Sequence, residues 1–253
     1  MRIDLNADVG EGMPDDEAIL ACVTSANVAC GAHAGDAATI ARTVALAARH
    51  GVAVGAHPGY PDRVGFGRDE LGLPPATIER LVAEQVAVLL AACEAADVPL
   101  AHVKAHGALY HRAARDPEVA MAVARGVAAV APGAVLVVYA GSVAVAAARA
   151  VGLAVAEEAF ADRGYEADGS LRPRALPGSV LDSPAAAAAQ AVAIARGAIP
   201  LADAPEGGRL LVRADTVCVH GDLPGAAARA VAVRAALIAA GVDLRAPEHP
   251  RAR

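Results

Sequence analysis

The chain contains no tryptophan and only two phenylalanines, Phe66 and Phe160. Large aromatic anchors therefore cannot build its core, and the 56% hydrophobic content comes largely from alanine and valine. Long uncharged apolar runs are also missing, because the alanine-rich segments carry Arg, Glu or Gln. That argues against a membrane-spanning helix, which needs about 20 apolar residues. Cysteine is sparse: Cys22, Cys30, Cys93 and Cys218 are scattered through apolar stretches with no C-x-x-C pair. Buried free thiols in a reducing cytoplasm are expected rather than a zinc knuckle or a disulfide framework. Basic charge is in the minority. A net charge of −6 without long like-charge runs argues against a nucleic-acid surface. The opening Met1–Asp8 reads as a strand rather than a signal peptide, which again points to the cytoplasm.

Three chemical motifs are absent as well. The sequence has no G-x-x-x-x-G-K-[ST] phosphate loop and no G-x-G-x-x-G after a strand. It has no Gly-x-Ser-x-Gly elbow, since Gly141-Ser142 lacks the flanking pattern.

The scarcest charged residue is lysine. Lys104 is alone among 22 basic residues, the rest being arginine, and it lies in His102-Val103-Lys104-Ala105-His106-Gly107. Guanidinium is a planar fork that stays charged, whereas an ammonium is a compact point charge responsive to burial. A chain that spells nearly every cation as arginine yet keeps one lysine between histidines marks position 104 as functional.

What is present alternates short apolar runs with longer alanine-rich segments. Strands are expected at Ile3–Ala7, Ala26–Cys30, Val52–Ala56, Ala101–Lys104, Val135–Tyr139, Ala154–Ala159 and Val217–His220. Helices are expected at Asp15–Cys22, Asp36–His50, Pro75–Ala96, Pro117–Val130, Ser142–Val151, Ser183–Arg196 and Gly225–Ala240. Asp36, Ser142 and Ser183 read as N-caps, and Gly51, Gly152, Gly197 and Gly241 as C-terminal stops. Such alternation implies an α/β fold with a parallel sheet. An irregular seven-stranded (β/α) barrel is favoured over an open doubly wound sheet. At 253 residues the chain suits one barrel domain spanning 1–253. The Gly/Pro/Arg-rich stretch 161–182 reads as a lid or substrate loop, and 246–253 as a flexible C-terminal tail.

The rare residues gather at the C-terminal ends of the expected strands, where α/β proteins place ligands. Strand one leads to Asn6, Asp8 and Glu11; strand two to Asn27, His33 and Asp36; strand three to His57 and Tyr60. Strand four gives Lys104 and His106, strand six Asp162 and Arg163, and the last strand His220 and Asp222. Asp36 and Asp222 have second readings as helix caps, and His57 before Pro58 as a strand terminator. His50, His102, His111 and His249 lack such context and read as surface or structural. Convergent His, Asp and Lys on one face suit an acid–base or a metal site.

The runs Asp4–Glu11, Thr24–Gly31, His33–Asp36, Gly55–Phe66, Val103–Tyr110, Phe160–Tyr165 and Val219–Gly225 resemble the LamB/YcsF family, which includes the A component of prokaryotic 5-oxoprolinase. Three features depart from the family pattern. The segment after Glu11 is short, Ala32 stands where an aromatic is common, and Ala105 where proline is common. The resemblance implies an irregular barrel similar to the glycoside hydrolase/deacetylase superfamily. It implies ATP-dependent opening of 5-oxoproline (pyroglutamate) to L-glutamate, with ATP as co-substrate and 5-oxoprolinase subunits B and C as partners. On that reading Asp8 or His33 is the base, Lys104 with His106 the charge stabiliser, and His57 or His220 the acid. Asn6, Glu11, Asn27, Asp36, Tyr60, Arg163 and Asp222 fall to substrate binding, Arg163 through a bidentate grip on the carboxylate. The alternatives are a metal-dependent deacetylase or amidohydrolase, with Asp8, His33 and His57 around a divalent metal, and a non-catalytic substrate-binding subunit.

Overall fold

The structure, a computed structural model, describes residues 1–201 and 208–247. In chain order the elements are β1 (Arg2–Val9), α1 (Asp16–Leu20), β2 (Ser25–Ala29), α2 (Ala37–Arg49), β3 (Ala53–His57), α3 (Pro75–Ala95), β4 (Leu100–Lys104), α4 (Gly107–Arg115), α5 (Pro117–Val130), β5 (Val135–Tyr139), α6 (Val143–Ala150), β6 (Ala154–Phe160), α7 (Pro184–Ala195), β7 (Ala198–Pro200), β8 (Arg209–Leu211), β9 (Thr216–Val219), α8 (Ala226–Ala239) and β10 (Asp243–Leu244). The seven parallel strands β1, β2, β3, β4, β5, β6 and β9 pair in that order, and β9 returns to β1, closing the barrel. Among the described residues, no helix is long and apolar enough to cross a membrane.

Seven expected strands and seven expected helices are present. Asp36 caps α2 by accepting the Thr39 N–H at 2.7 Å. Ser142 and Ser183 occupy N-cap positions, but their side chains make no cap hydrogen bond. Gly51, Gly152, Gly197 and Gly241 all take positive φ after helix ends. Four further elements lie outside the expected set: α4, the strands β7 and β8 of an outlying antiparallel hairpin, and β10, which pairs with the start of β1. Helix α4 follows β4 without a loop, because His106 is itself the N-cap residue. The end of the expected tail, 248–253 with His249, lies outside the described residues.

Strand alternation sorts side chains between two environments. Ile3, Leu5, Ala7 and Val9 of β1 are buried against the helix layer. The alternate residues Asp4, Asn6 and Asp8 point into the barrel, and the same period brings in Ser25, Asn27, His57, His102, Lys104, Glu158, Thr216 and Cys218. Space inside is made at Gly55, where a Cβ would meet the His102 ring at 2.1 Å. Val135, Val137 and Ala156, with Ala154 against them, form a small apolar cluster separate from the main core.

Candidate active site

A cavity of about 730 Å³ opens at the C-terminal ends of the strands. Asp8, Lys104 and Glu158 line it at depth. Lys104 is 2% exposed, and its Nζ lies 3.0 Å from Asp8 Oδ1, 3.0 Å from Glu158 Oε1 and 3.1 Å from Cys218 Sγ. Burial opposes the ammonium charge, but Asp8 and the other partners outweigh it and hold the pKa well above the usual lysine range. Burial likewise opposes the Asp8 carboxylate, yet His57 and Lys104 hold it well below the usual range. Both charges are therefore fixed at neutral pH.

Beneath this pair lies a hydrogen-bonded scaffold. Asn27 Nδ2 donates to Asn6 Oδ1 and to Asp8 Oδ1, both at 2.8 Å. Asn6 Nδ2 donates to Glu158 Oε1 at 2.9 Å and Thr216 Oγ1 at 2.7 Å. His102 Nε2 donates to Asn27 Oδ1 at 2.8 Å, and burial lowers that histidine's pKa to about 3, so it is neutral. One layer deeper, the hydroxyls of Thr24, Ser25 and Thr216 all donate to Asp4. Asn6 and Asn27, expected to bind substrate, are thus one layer too deep: they aim the carboxylates and do not line the cavity.

Histidines and Glu11 gather at one side of the cavity. His57 Nδ1 donates to the Lys104 carbonyl at 2.8 Å, and its Nε2 faces His106 Nδ1 at 3.0 Å and Asp8 Oδ1 at 3.5 Å. His106 Nε2 donates to the Phe66 carbonyl at 2.8 Å. The His33 and His106 rings stack 3.8 Å apart. Glu11 Oε1 lies 3.5 Å from both His33 Nε2 and His106 Nδ1. Burial, then the charge of His57, lowers the pKa of His33 to about 3 and that of His106 to about 2. Burial, then Asp8 and Asp222, raises the Glu11 carboxyl well above the usual range.

A third group stands at the wall. His220 Nδ1 lies 2.8 Å from Asp162 Oδ1, and Asp162 Oδ2 accepts the His220 backbone N–H at 2.8 Å. Burial opposes the Asp162 charge, but His220 outweighs it and keeps the carboxyl below its usual range. The His220 ring stacks on Phe160, which fixes its plane. Gln190 of α7 holds this turn by donating to the carbonyls of Phe160 and Arg163. Arg163 lines the cavity, but its Nε and Nη2 are taken by the carbonyls of Ser179 and Arg172. It cannot offer the free fork that a bidentate grip requires. Asp222 pairs with Arg68 and does not cap α8, whose N-cap is Gly225.

Of the expected residues, Asp8, Glu11, His57, Lys104, His106, Arg163, His220 and Asp222 line the cavity. His33 stands behind His106. Asp36 is an exposed helix cap, and Tyr60 is buried away from the cavity, near Arg112. Among the described residues, Asp8, His33 and His57 do not bring their ligand atoms within 4.8 Å of one another. Among the described residues, Glu11, His33 and His106 do, their ligand atoms lying within 4.8 Å of one another. His111, read as surface or structural, lines the cavity, where burial and then Arg163 lower its pKa to about 4. Besides His111, two residues of the candidate site escape sequence reasoning: Glu158, and Asp162 as the partner of His220. Glu158 leaves a detectable signal, a carboxylate at an inward strand position two residues before Phe160. Residues 163, 165 and 168–174 of the expected lid also line the cavity.

Known proteins share this architecture and sequence. The model of the LamB/YcsF family matches residues 3–252. A Chloroflexus aggregans protein, named as the A component of 5-oxoprolinase, is 50% identical over 252 residues, covering 98% of this chain and 99% of that protein. A Thermus thermophilus protein of the same name is 48% identical over 252 residues, covering 97% and 100%. The crystal structure of the lactam utilization protein from Thermus thermophilus matches with a TM-score of 0.90 at 47% identity, covering 98% of this chain and 100% of that one.

Proposed function

The chain belongs to the LamB/YcsF family, and from that premise we propose that it works as the A component of an ATP-dependent 5-oxoprolinase. In this reading the lactam of 5-oxoproline is hydrolysed to L-glutamate, with ATP consumed to ADP and phosphate. Subunits B and C complete the enzyme, and the assembly works in the cytoplasm. The relatives' names supply the substrate class. The observation that carries the reading is the fixed Lys104 ammonium at the cavity floor together with the carboxylate-held His220 on its wall.

A lactam is an unactivated amide, so its carbonyl needs a better leaving arrangement and its nitrogen a proton. Transfer of the ATP γ-phosphoryl group to the lactam oxygen supplies the first. Water then adds to the ring carbon, the C–N bond breaks, phosphate departs and the nitrogen is protonated. Lys104 faces the negative charge that develops on oxygen; a preorganised charge of this kind is worth about 3–4 kcal/mol in a barrier. His220, oriented by Asp162, delivers the proton to nitrogen. Asp8 is too well stabilised as an anion to be an effective base. It serves instead as the counter-charge that holds Lys104. Water is activated at the Glu11–His33–His106 side. The chain lacks a phosphate loop, so phosphoryl transfer falls to the partner subunits.

Reconstitution tests this division of labour. Glutamate and phosphate should appear together only when the chain, subunits B and C, ATP and 5-oxoproline are all present. Robust ATP-dependent turnover by the isolated chain, or full turnover without it, contradicts the reading.

A further inference from the structure

Resting on the 5-oxoproline reading, we propose that Arg174 binds the carboxylate of the substrate from the loop 172–179 at the cavity rim. The lactam carries a carboxylate beside its ring nitrogen, and a cation with a matching fork is the group that meets such an anion best. The Arg and Lys side chains of the cavity lining are Arg68, Lys104, Arg115, Arg163, Arg172 and Arg174. All but the last are engaged. Lys104 is held by Asp8 and Glu158, Arg68 by Asp222 and Arg115 by Glu70. Arg172 Nη1 faces Glu166 Oε1 at 3.5 Å, and Arg163 gives its Nε and Nη2 to carbonyls. Among the described residues, the Arg174 side chain has no hydrogen bond or ion pair.

The loop is built to hold this residue in place. Arg163, only 3% exposed, clasps both ends of it, donating to the Arg172 carbonyl at 2.8 Å and the Ser179 carbonyl at 2.9 Å. Ser179 Oγ donates to the Arg174 carbonyl at 3.0 Å. Between these ties, the Leu176 N–H donates to the Pro173 carbonyl and the Ser179 N–H to the Leu176 carbonyl. Gly164 packs directly against the loop, where a Cβ would collide with the Gly178 carbonyl. The Arg174 backbone is thus fixed while its guanidinium is left without a partner. Such a fork can meet a carboxylate with two parallel N–H bonds. Arg163, which cannot grip the carboxylate itself, positions the residue that can.

The position suits the ring. In 5-oxoproline the nitrogen lies between the carbonyl carbon and the carbon that bears the carboxylate. Groups for oxygen, nitrogen and carboxylate must therefore follow one another around the cavity. Lys104 Nζ lies 5.4 Å from the Phe160 ring centroid, and the His220 ring stacks on that same ring. Arg174 stands on the His220 side. Burial, then the Arg68 charge, lowers its pKa, while Asp222, Asp162 and Asp8 act to raise it. Asp162 is the carboxylate that orients His220. The field of Arg174 also reaches His111, whose pKa falls first through burial and then through Arg163, His220, Arg115 and Arg174. The guanidinium is therefore turned towards the cavity and the nitrogen's proton donor, where the carboxylate of a bound lactam falls.

The test is calorimetric binding to the full chain of three probes: 5-oxoproline, 2-pyrrolidinone, which is the same ring without the carboxylate, and inorganic phosphate. Wild type should prefer 5-oxoproline to 2-pyrrolidinone at least about tenfold. Arg174→Gln should weaken 5-oxoproline about tenfold to a hundredfold, the range of a hydrogen bond to a charged group, and leave 2-pyrrolidinone unchanged. Arg174→Lys keeps the charge without the fork and should fall in between. Arg80→Gln, at an exposed arginine of α3 outside the cavity lining, should bind as wild type does. The Arg174 side chain is exposed, so its variants should melt at the wild-type temperature. Unchanged 5-oxoproline binding in Arg174→Gln overturns this proposal and leaves the lactam reading standing. A wild-type chain that binds neither ring contradicts the lactam reading, and the proposal falls with it. Phosphate that binds more tightly than 5-oxoproline, and is lost in Arg174→Gln, assigns the residue to a phosphoryl group and overturns the carboxylate assignment.

Discussion

The barrel wall formed by β1, β2, β3, β4 and β9 turns Asp4, Asn6, Asp8, Ser25, Asn27, His57, His102, Lys104, Thr216 and Cys218 inward. The wall formed by β5 and the first part of β6 turns in Val135, Val137, Ala154 and Ala156. Both walls belong to the same closed sheet. The apolar wall needs only to fill space, as barrel interiors commonly do. The polar wall has to match donors with acceptors through several layers, and its ion cluster gains little stability over an apolar packing of equal volume. The valine wall shows that apolar filling is available to this fold. The ionic wall is therefore a cost in stability that the cavity above it explains.

If the contrast is functional, substitutions on the polar wall should act on rate and those on the apolar wall on stability. The largest effect is expected from Asp8→Asn, which removes the counter-charge of Lys104 at nearly constant shape. Turnover of the reconstituted complex should fall at least about a hundredfold, because Lys104 loses the charge that fixes it under the reacting oxygen, the scale of losing a preorganised oxyanion stabiliser. Near-normal steady-state rates would make the upper layer structural and erase the contrast.

Asp4 comes next, because it is polar yet too deep to reach substrate. Burial raises its pKa from 3.8 to about 6, against the pull of three hydroxyl donors. The folded pKa lies above the unfolded value, so burying the neutral acid contributes stability that is full below about pH 4. That contribution is lost as pH rises through about 6. The loss should reach roughly 3 kcal/mol. Chemical denaturation of wild type and Asp4→Asn between pH 4 and 7 isolates this component as a difference in slope. Identical slopes would show that Asp4 does not titrate in that window.

The smallest effect is expected on the apolar wall. Val137→Ala removes two buried methyl groups and should cost about 1–2 kcal/mol, with kcat of the complex within about twofold of wild type. A large fall in kcat at small cost in stability would place that wall in the chemistry as well.

Much of the barrel is legible in the sequence because its signals are local. Apolar runs of strand length, Asp36 before a helix and glycines after helix ends each fix one boundary. Helix α4 is not legible, because His106 and Gly107 read as chemistry and the helix begins on them without a turn. The β7–β8 hairpin is too short to show a period. At the site, strand ends mark the right neighbourhood but not the depth. Asp4, Asn6 and Asp8 share one face of one strand, and only Asp8 reaches the cavity. Depth depends on how strands stagger around the closed barrel, which no single segment encodes. Arg163 misleads for a related reason: its side chain is visible in the sequence, but the carbonyls of Ser179 and Arg172 that occupy it are not.

Lys104→Arg tests the central claim, that the polar wall exists to hold a compact charge under the substrate. The substitution keeps the charge and matches the choice this chain makes at every other basic position. It adds a larger planar group to a site already filled by Asp8, Glu158 and Cys218, at a cost of about 1–3 kcal/mol in stability. Melting temperature and steady-state rate should be measured on the same preparation of the reconstituted complex. The expected result is a folded variant with a modestly lower melting temperature and a kcat reduced at least about a hundredfold. A folded Lys104→Arg complex turning over at near-normal rate would contradict the account.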